Sequence, residues 1–276
     1  MTTTLRPDGP EERLADGGRA RTYEVCVNSR PVGRIVLATD RRLGPAAGRI
    51  ADLRIDERDR HRGRGTVAAL AAEEVLRGWG CRRIELDVPA GAGPALRLAA
   101  ALGYTEYSRR MHKELTTPPE LPEGSVDRPL GAAEFPDWLA TAHAEYVETK
   151  AAHGVPRERA ERAAAEDHRR LLPDGPASAG QSVRVLAHEG TDVGTVWTAK
   201  DAFGRPGGYV LAVRVAPEHR GRGHGRTLML VAERESLAAG RAVLRLNVFT
   251  DNVPACGLYD SLGYRPAEHS LQKPLL

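Results

Sequence analysis

The chain writes one supersecondary unit twice, 160 positions apart (220 − 60 = 160), and that repetition limits the architecture before any other feature is weighed. With Arg60 set on Arg220, the residues Arg62, Gly63 and Gly65 fall on Arg222, Gly223 and Gly225. The match runs on without a gap: Leu86 meets Leu246, Val88 meets Val248, Pro94-Ala95 meets Pro254-Ala255, and Leu102-Gly103-Tyr104 meets Leu262-Gly263-Tyr264. A period this long is the size of a domain, so it excludes a solenoid of short stacked repeats and implies two copies of a whole fold.

Length agrees, since 276 residues suffice for two domains that each bury a core. Arginine and glutamate are interspersed and the net charge is only +3, which reads as a solvated surface and implies no nucleic-acid partner. Three cysteines, Cys26, Cys81 and Cys256, lie far apart without a Cys-x-x-Cys pair, which suits a reducing cytoplasm. The first residues contain no apolar core of a secretory signal and no stretch has membrane length, so no membrane partner is expected.

The most proline-dense stretch, Thr-Thr-Pro-Pro-Glu-Leu-Pro-Glu-Gly after Leu115, divides the chain. The expected domains are 1–116 and 125–276, with a linker over 117–124. Each half opens on a short strand halted by proline and continues, further on, with a hairpin, at 22–27 with 33–39 and at 183–188 with 194–200. Only the second half has room for two helices between these features. One carries Phe135, Trp138, Leu139, Ala142 and Tyr146 at helical spacing, and the next starts at Pro156 and runs over 158–172. In the first half about fourteen residues, 8–21, fill that interval, enough for one stub. Each half then reads strand, glycine loop, helix, strand, helix, which in the second copy occupy 209–215, 220–225, 227–239, 242–248 and 253–262, before a last strand near 269–273. The order argues for an α/β (α+β) fold in tandem, each copy a mixed, mostly antiparallel sheet flanked by helices, the first copy lacking most of the early helices.

A strand that feeds a glycine-rich turn opening a helix collects unpaired N–H groups and the positive end of a helix dipole at one point, which is a phosphate site. The dinucleotide fingerprint fails because Arg226 stands at its last glycine, and the Walker phosphate loop fails because Arg220 stands at its first glycine and Arg226 at its lysine. What remains is Arg-x-x-Gly-x-Gly, written Arg220-Gly221-Arg222-Gly223-His224-Gly225 and again Arg60-His61-Arg62-Gly63-Arg64-Gly65. This resembles the coenzyme A diphosphate loop of the GNAT superfamily of N-acyltransferases, and Asn252-x-x-Ala255-x-x-Leu258-Tyr259-x-x-x-Gly263-Tyr264 resembles that family's next motif at the family's distance.

The resemblance implies acetyl-coenzyme A, or another acyl-coenzyme A, as donor, and the amine of a small molecule as acceptor. It implies a strand at Val213–Val215 that splays from the strand at 244–248 to admit the pantetheine arm. Arg220, Gly221, Arg222, Gly223, His224, Gly225 and Arg226 would cradle the diphosphate, with Val213, Val215 and Asn252 along the arm; Arg60, Gly63 and Gly65 would do the same in the first copy. Tyr259 would sit near the sulfur and protonate the departing thiolate, a contribution of about 10²-fold. The first copy has Ala99 where Tyr259 stands and Ala92 where Asn252 stands, so the second copy is the expected catalyst and the first a structural or silent coenzyme binder. Tandem members of the superfamily give a precedent for one working and one silent half.

Many relatives carry an acid on the strand before the loop, where this chain has Ala212 and Arg214; the first copy keeps Asp52 at the place of Ala212. A base elsewhere, such as Glu145, Asp201 or His219, or an acceptor already neutral, would resolve this. His143, His153 and His168 show no metal-ligand spacing, and no metal is expected. Two further readings stay open: a donor tethered to an acyl carrier protein, and a non-catalytic sensor of acyl-coenzyme A. The chain is expected as monomer or homodimer.

Overall fold

A computed structural model describes residues 3–14, 17–40, 44–202 and 204–275. They form two compact units, Met1–Arg109 with Glu268–Leu276, and Arg110–Ala267.

The first unit holds β1 (Thr3–Pro7), β2 (Glu12–Arg13), β3 (Arg19–Val27), β4 (Arg30–Asp40), β5 (Gly44–Ile55), α1 (Arg64–Gly78), β6 (Arg83–Pro89), α2 (Gly93–Ala101) and the opening residues of β7 (Thr105–Glu114). Asn28 and Ser29 both take positive φ between Val27 and Arg30, the two-residue turn whose twist suits a hairpin. β3, β4 and β5 run antiparallel, then β5 and β6 pair in parallel through the crossover helix α1. α1 buries Ala68, Ala72 and Leu76 against Val25, Ile35, Leu37 and Ile84 of the sheet. The interval 8–21 contains, among the described residues, the two-residue β2 and main-chain hydrogen bonds of Leu14 with Gly17 and Gly18, where one helical stub was expected.

The second unit adds β8 (Ser125–Pro129), α3 (Phe135–Ala152), α4 (Arg157–Leu171), β9 (Gln181–His188), β10 (Thr191–Ala202), β11 (Arg205–Val215), α5 (His224–Ala238), β12 (Val243–Phe249), α6 (Val253–Ser261) and the first residues of β13 (Arg265–Pro274). The antiparallel order β8, β9, β10, β11 ends in the parallel partner β12. One face of this sheet takes α5, whose Leu228, Met229, Val231 and Ala232 are buried against Val196, Leu244 and Leu246. The other face takes the two early helices. The apolar start of α3, Phe135, Trp138 and Leu139, packs on Val183, Val185 and Trp197. α4 is mostly arginine, glutamate and alanine, and it docks by its small residues, Ala160 and Ala164 against Val147 of α3.

The unit boundaries differ from the expected 116 and 125. The last strand of each repeat belongs to the other repeat's unit. Residues 268–274 of β13 run antiparallel to β6, with Leu271 opposite Leu86, and the Leu275 N–H bonds the Arg82 carbonyl. In the second unit the Leu115 N–H bonds the Ala242 carbonyl, the same pair shifted by 160 (275 − 115 = 160; 242 − 82 = 160). The proline-rich stretch is therefore a connection that follows β7, and the final strand of 125–276 completes the first sheet.

Candidate active site

β11 and β12 pair only at Gly208 with Leu244 and at Tyr209 with Arg245, after which their ladder ends. The cause lies one strand away. Trp197 of β10 is opposite Ala212 and Thr198 is opposite Val210, so Leu211 is an extra residue, a bulge that bends β11. Beyond it the strands part, leaving Val213 and Val215 across from Leu246 and Val248 with no ladder between them. The first unit repeats the device: β5 and β6 pair at Ala47 with Arg83, Gly48 with Ile84 and Arg49 with Glu85, and no further.

At the end of β11 a short 3-10 turn, Pro217–His219, leads into the glycine loop. Gly223 caps α5 at φ 86°, a left-handed backbone in which a side chain would be strained, and a methyl group placed on Gly221 or Gly223 would meet nothing within 4 Å. The loop thus faces open space at the positive end of a fifteen-residue helix. Gly225 differs: a methyl group there would lie 3.4 Å from Leu258 of α6, in contact with that helix and not in open space. Arg220 folds back so that its Nε donates to the Val215 carbonyl at 3.3 Å, and Arg60 does the same to Ile55 at 2.9 Å. The first loop keeps the conformation, with Gly63 at φ 71° and His61 at φ 58° in the place of Gly221.

Beneath the loops the two units differ in a way no motif announced. In the first, buried Asp59 is ion-paired with Arg64, and with Arg30 at 2.8 Å. The equivalent positions in the second are His219 and His224, and the His224 ring is buried 5.0 Å from that of His188. Burial, and then the neighbouring His188 and His219, lowers the His224 pKa. Arg226 reaches sideways, donating to the Ser261 hydroxyl at 2.6 Å on α6.

Asn252 is the N-cap of α6, its Oδ1 accepting from the Ala255 N–H at 3.2 Å. One and two turns on stand Cys256 and Tyr259. Tyr259 is 9% exposed and its ring meets Tyr264 edge-on at 6.0 Å. Its hydroxyl has no hydrogen-bond partner among the described residues, yet it is absent from the fully enclosed unpaired atoms, so it borders open space. Burial, with a smaller effect of Cys256, pushes its pKa up to about 12, keeping the phenol protonated at neutral pH. Ala92 and Ala99 stand at the matching positions in the first unit, where α2 has no side-chain cap.

On the opposite face of the sheet Ala212 packs into the cluster around Trp197, and Arg214 is tied to Glu145 of α3 at 2.9 Å. Glu145, one of the bases sequence reasoning offered, is thus engaged by a guanidinium. Asp201 is likewise engaged, by Arg241 and by the Gly207 N–H, which hold its pKa low. Among the described residues no group of three histidine, cysteine or acidic side chains is placed to hold a metal ion. None of the described helices is long and apolar enough to cross a membrane.

A strand that leaves its parallel neighbour beside a glycine loop, twice in one chain, defines the class as a tandem acyltransferase fold. The comparison with known proteins agrees: the chain matches the Acetyltransferase (GNAT) family over residues 2–104 and 141–264, and it belongs to that family, with the family's domain present twice. It is 34% identical over 192 residues to a mycothiol acetyltransferase of Thermobispora bispora, covering 64% of this chain and 59% of that protein. It is 31% identical over 222 residues to a mycothiol acetyltransferase of Streptomyces bingchenggensis, covering 76% of this chain and 68% of the relative. The chain therefore spans about three-fifths to two-thirds of these relatives' lengths. Among solved structures, a GCN5-related N-acetyltransferase from Sphaerobacter thermophilus shares the fold, with TM-score 0.59 and 18% identity, over 92% of this chain and 80% of that one.

Proposed function

We propose that the second unit transfers an acyl group, most simply acetyl, from acetyl-coenzyme A to the amine of a small molecule in a reducing cytoplasm, and that the first unit is structural or a silent coenzyme binder. The observation that carries this reading is the parting of β11 from β12 beside an open glycine loop, with Tyr259 on the helix that follows β12. The residues fit the donor. Amides of residues 221–225 would meet the diphosphate, with Arg220 and Arg222 supplying charge. His224 and Gly225 would contribute their main chain, since the ring of His224 is buried and Gly225 packs on Leu258. The arm would enter the gap along Val213 and Val215, near the amide nitrogen of Asn252 that its capping role leaves over. Arg226, turned toward Ser261, would act by its charge at the rim.

Acyl transfer requires a neutral amine, a donor to the carbonyl oxygen and a proton for sulfur. A strand N–H, at Val213, would meet the oxyanion. Tyr259 raised to about 12 does not hand its proton outright to a thiolate whose thiol has a pKa of about 8.5. It would work as a relay, giving a proton to sulfur while regaining one from the new amide nitrogen, so that phenolate never accumulates.

The test is release of free thiol from acetyl-coenzyme A by purified protein with a panel of small amines. The panel includes a mycothiol-type acceptor, which the names of the two relatives suggest, and an acyl carrier protein as alternative donor. Thiol release that depends on an amine supports the reading, and its absence with every pair overturns it. A sensor is the second reading, favoured by the lack of a carboxylate at Ala212 and Arg214. Tight coenzyme binding by calorimetry without turnover would establish it.

A further inference from the structure

The strand before the loop offers no acid, and the structure shows what faces it instead. α3 changes character along its underside. Its first turns, Phe135, Trp138 and Leu139, are apolar and pack in the cluster that includes Leu211 and Ala212. From there on the helix carries His143 and Tyr146 toward α4, and Lys150 and His153 toward β12. Glu145 reaches Arg214 of β11. His153 stacks on Phe249 of β12 at 3.5 Å, and Lys150 lies over the Phe249 and Tyr146 rings at 5.2 and 5.3 Å. The helix thus passes over β10, then β11, then β12, and turns polar where the last two part. A helix face that only filled a core would stay apolar, because each buried polar group without a partner costs stability.

His143 lies one turn after Leu139 and half a turn before Glu145, on the stretch of α3 between the Trp197 cluster and the contact with Arg214 of β11. Its ring centre is 5.6 Å from that of His168 on α4, a buried side chain whose ring in turn lies 5.7 Å from Trp197. Trp197 is the residue opposite Ala212, and its indole N–H is occupied by Gln181 at 2.9 Å. The two histidines therefore stand one behind the other beside Trp197, the residue opposite the position that lacks a carboxylate.

We propose that His143 is the base that removes the proton from the acceptor ammonium, and that His168 is a positioning residue that keeps it ready. The inference rests on the acyltransferase reading given above. The acceptor ammonium loses one N–H proton to the His143 imidazole, and its lone pair forms the N–C bond to the thioester carbonyl as the C–S bond breaks. Sulfur takes the Tyr259 proton, the phenol regains the proton shed by the amide nitrogen, and the imidazolium passes its own to solvent. The sum is ammonium and thioester to amide, thiol and one proton. In this reading the amine reaches the carbonyl from the α3 side and the thiol leaves on the α6 side.

The charged groups around the pair are mutually neutralised: Glu145 with Arg214, and Asp167 with Arg170 at 2.7 Å. Burial, and next the proximity of His143, lowers the His168 pKa, with Asp167 opposing.

The experiment compares His143→Gln and His168→Asn with the unaltered full chain in the thiol-release assay from pH 6 to pH 10, and follows both imidazoles by NMR titration without substrate. Loss of the base lowers kcat/KM at pH 7 by about 10²-fold. The loss shrinks toward pH 10, where an alkyl amine of pKa about 10.4 deprotonates itself. Imidazole added to His143→Ala restores part of the rate, and His143→Gln raises the midpoint of His168. A loss equal at every pH, a rate that ignores both histidines, or a His168 midpoint unmoved by His143→Gln overturns the inference while the transferase stands. Absence of thiol release with every amine overturns the transferase, and the base with it.

Discussion

The ammonium of Lys273, three residues from the chain's end, lies 2.8 Å from the buried carboxylate of Glu73 on α1. Tyr104 donates to the same carboxylate at 3.0 Å. Shifted by 160, the second unit builds the set again: Lys113 meets Glu233 at 2.7 Å and Tyr264 donates to it at 3.2 Å. Burial and the adjacent carboxylate raise both phenol pKa values, so Tyr104 and Tyr264 remain donors. In each set the lysine comes from the last strand of the other repeat.

Removing one lysine leaves a carboxylate only 3% exposed without its cation. Lys273→Met is expected to destabilise the first unit by about 3 kcal/mol, and adding Glu73→Gln to recover most of that. Hydrogen exchange should show protection lost in β5, α1 and β6 before β11, α5 and β12. Lys113→Met should reverse the order.

Tyr259→Phe removes a hydroxyl that bonds to no described residue, so stability should hold to within about 0.5 kcal/mol. The acyl-transfer rate should fall about 10²-fold, with the Kd for coenzyme A unchanged. A calorimetric Kd and a single-turnover rate separate the two.

The two loop glycines should part company. Gly223→Ala forces a side chain into a backbone at φ 86°, costing about 1 kcal/mol or more and weakening coenzyme binding. Gly225→Ala meets Leu258 at ordinary contact distance and should fold normally. Melting curves with and without coenzyme A check both.

Stability should also depend on pH through His168, whose folded-state pKa lies below the unfolded value of about 6.5. The unfolded chain then binds the proton more readily. This stabilisation is complete above about pH 6.5 and is lost as pH falls through 6.5 toward the folded value. His168→Asn should flatten that part of the Tm against pH curve.

Much of this was legible beforehand. The hairpins at 22–27 with 33–39 and at 183–188 with 194–200 stood out, and the helix over α3 followed from Phe135, Trp138, Leu139 and Tyr146. The strand exchange was not. Lys113 and Lys273 match at the same shift as everything else, and a match says nothing of which carboxylate each lysine meets. The contact of position 225 with Leu258 was not legible either, since only the packing of α5 on α6 reveals it. His143 and His168 lie 25 positions apart on two helices (168 − 143 = 25), and no periodicity within one helix brings them together. Trp197 opposite Ala212 depends on a bulge, which pairing alone displays.

The most direct test of the account is a crystal structure of the full chain soaked with coenzyme A. The account predicts diphosphate density on the amides of residues 221–225, the arm between Val213–Val215 and β12, and sulfur within hydrogen-bonding distance of the Tyr259 hydroxyl. Density for the coenzyme elsewhere on the second unit, or sulfur remote from Tyr259, would contradict it.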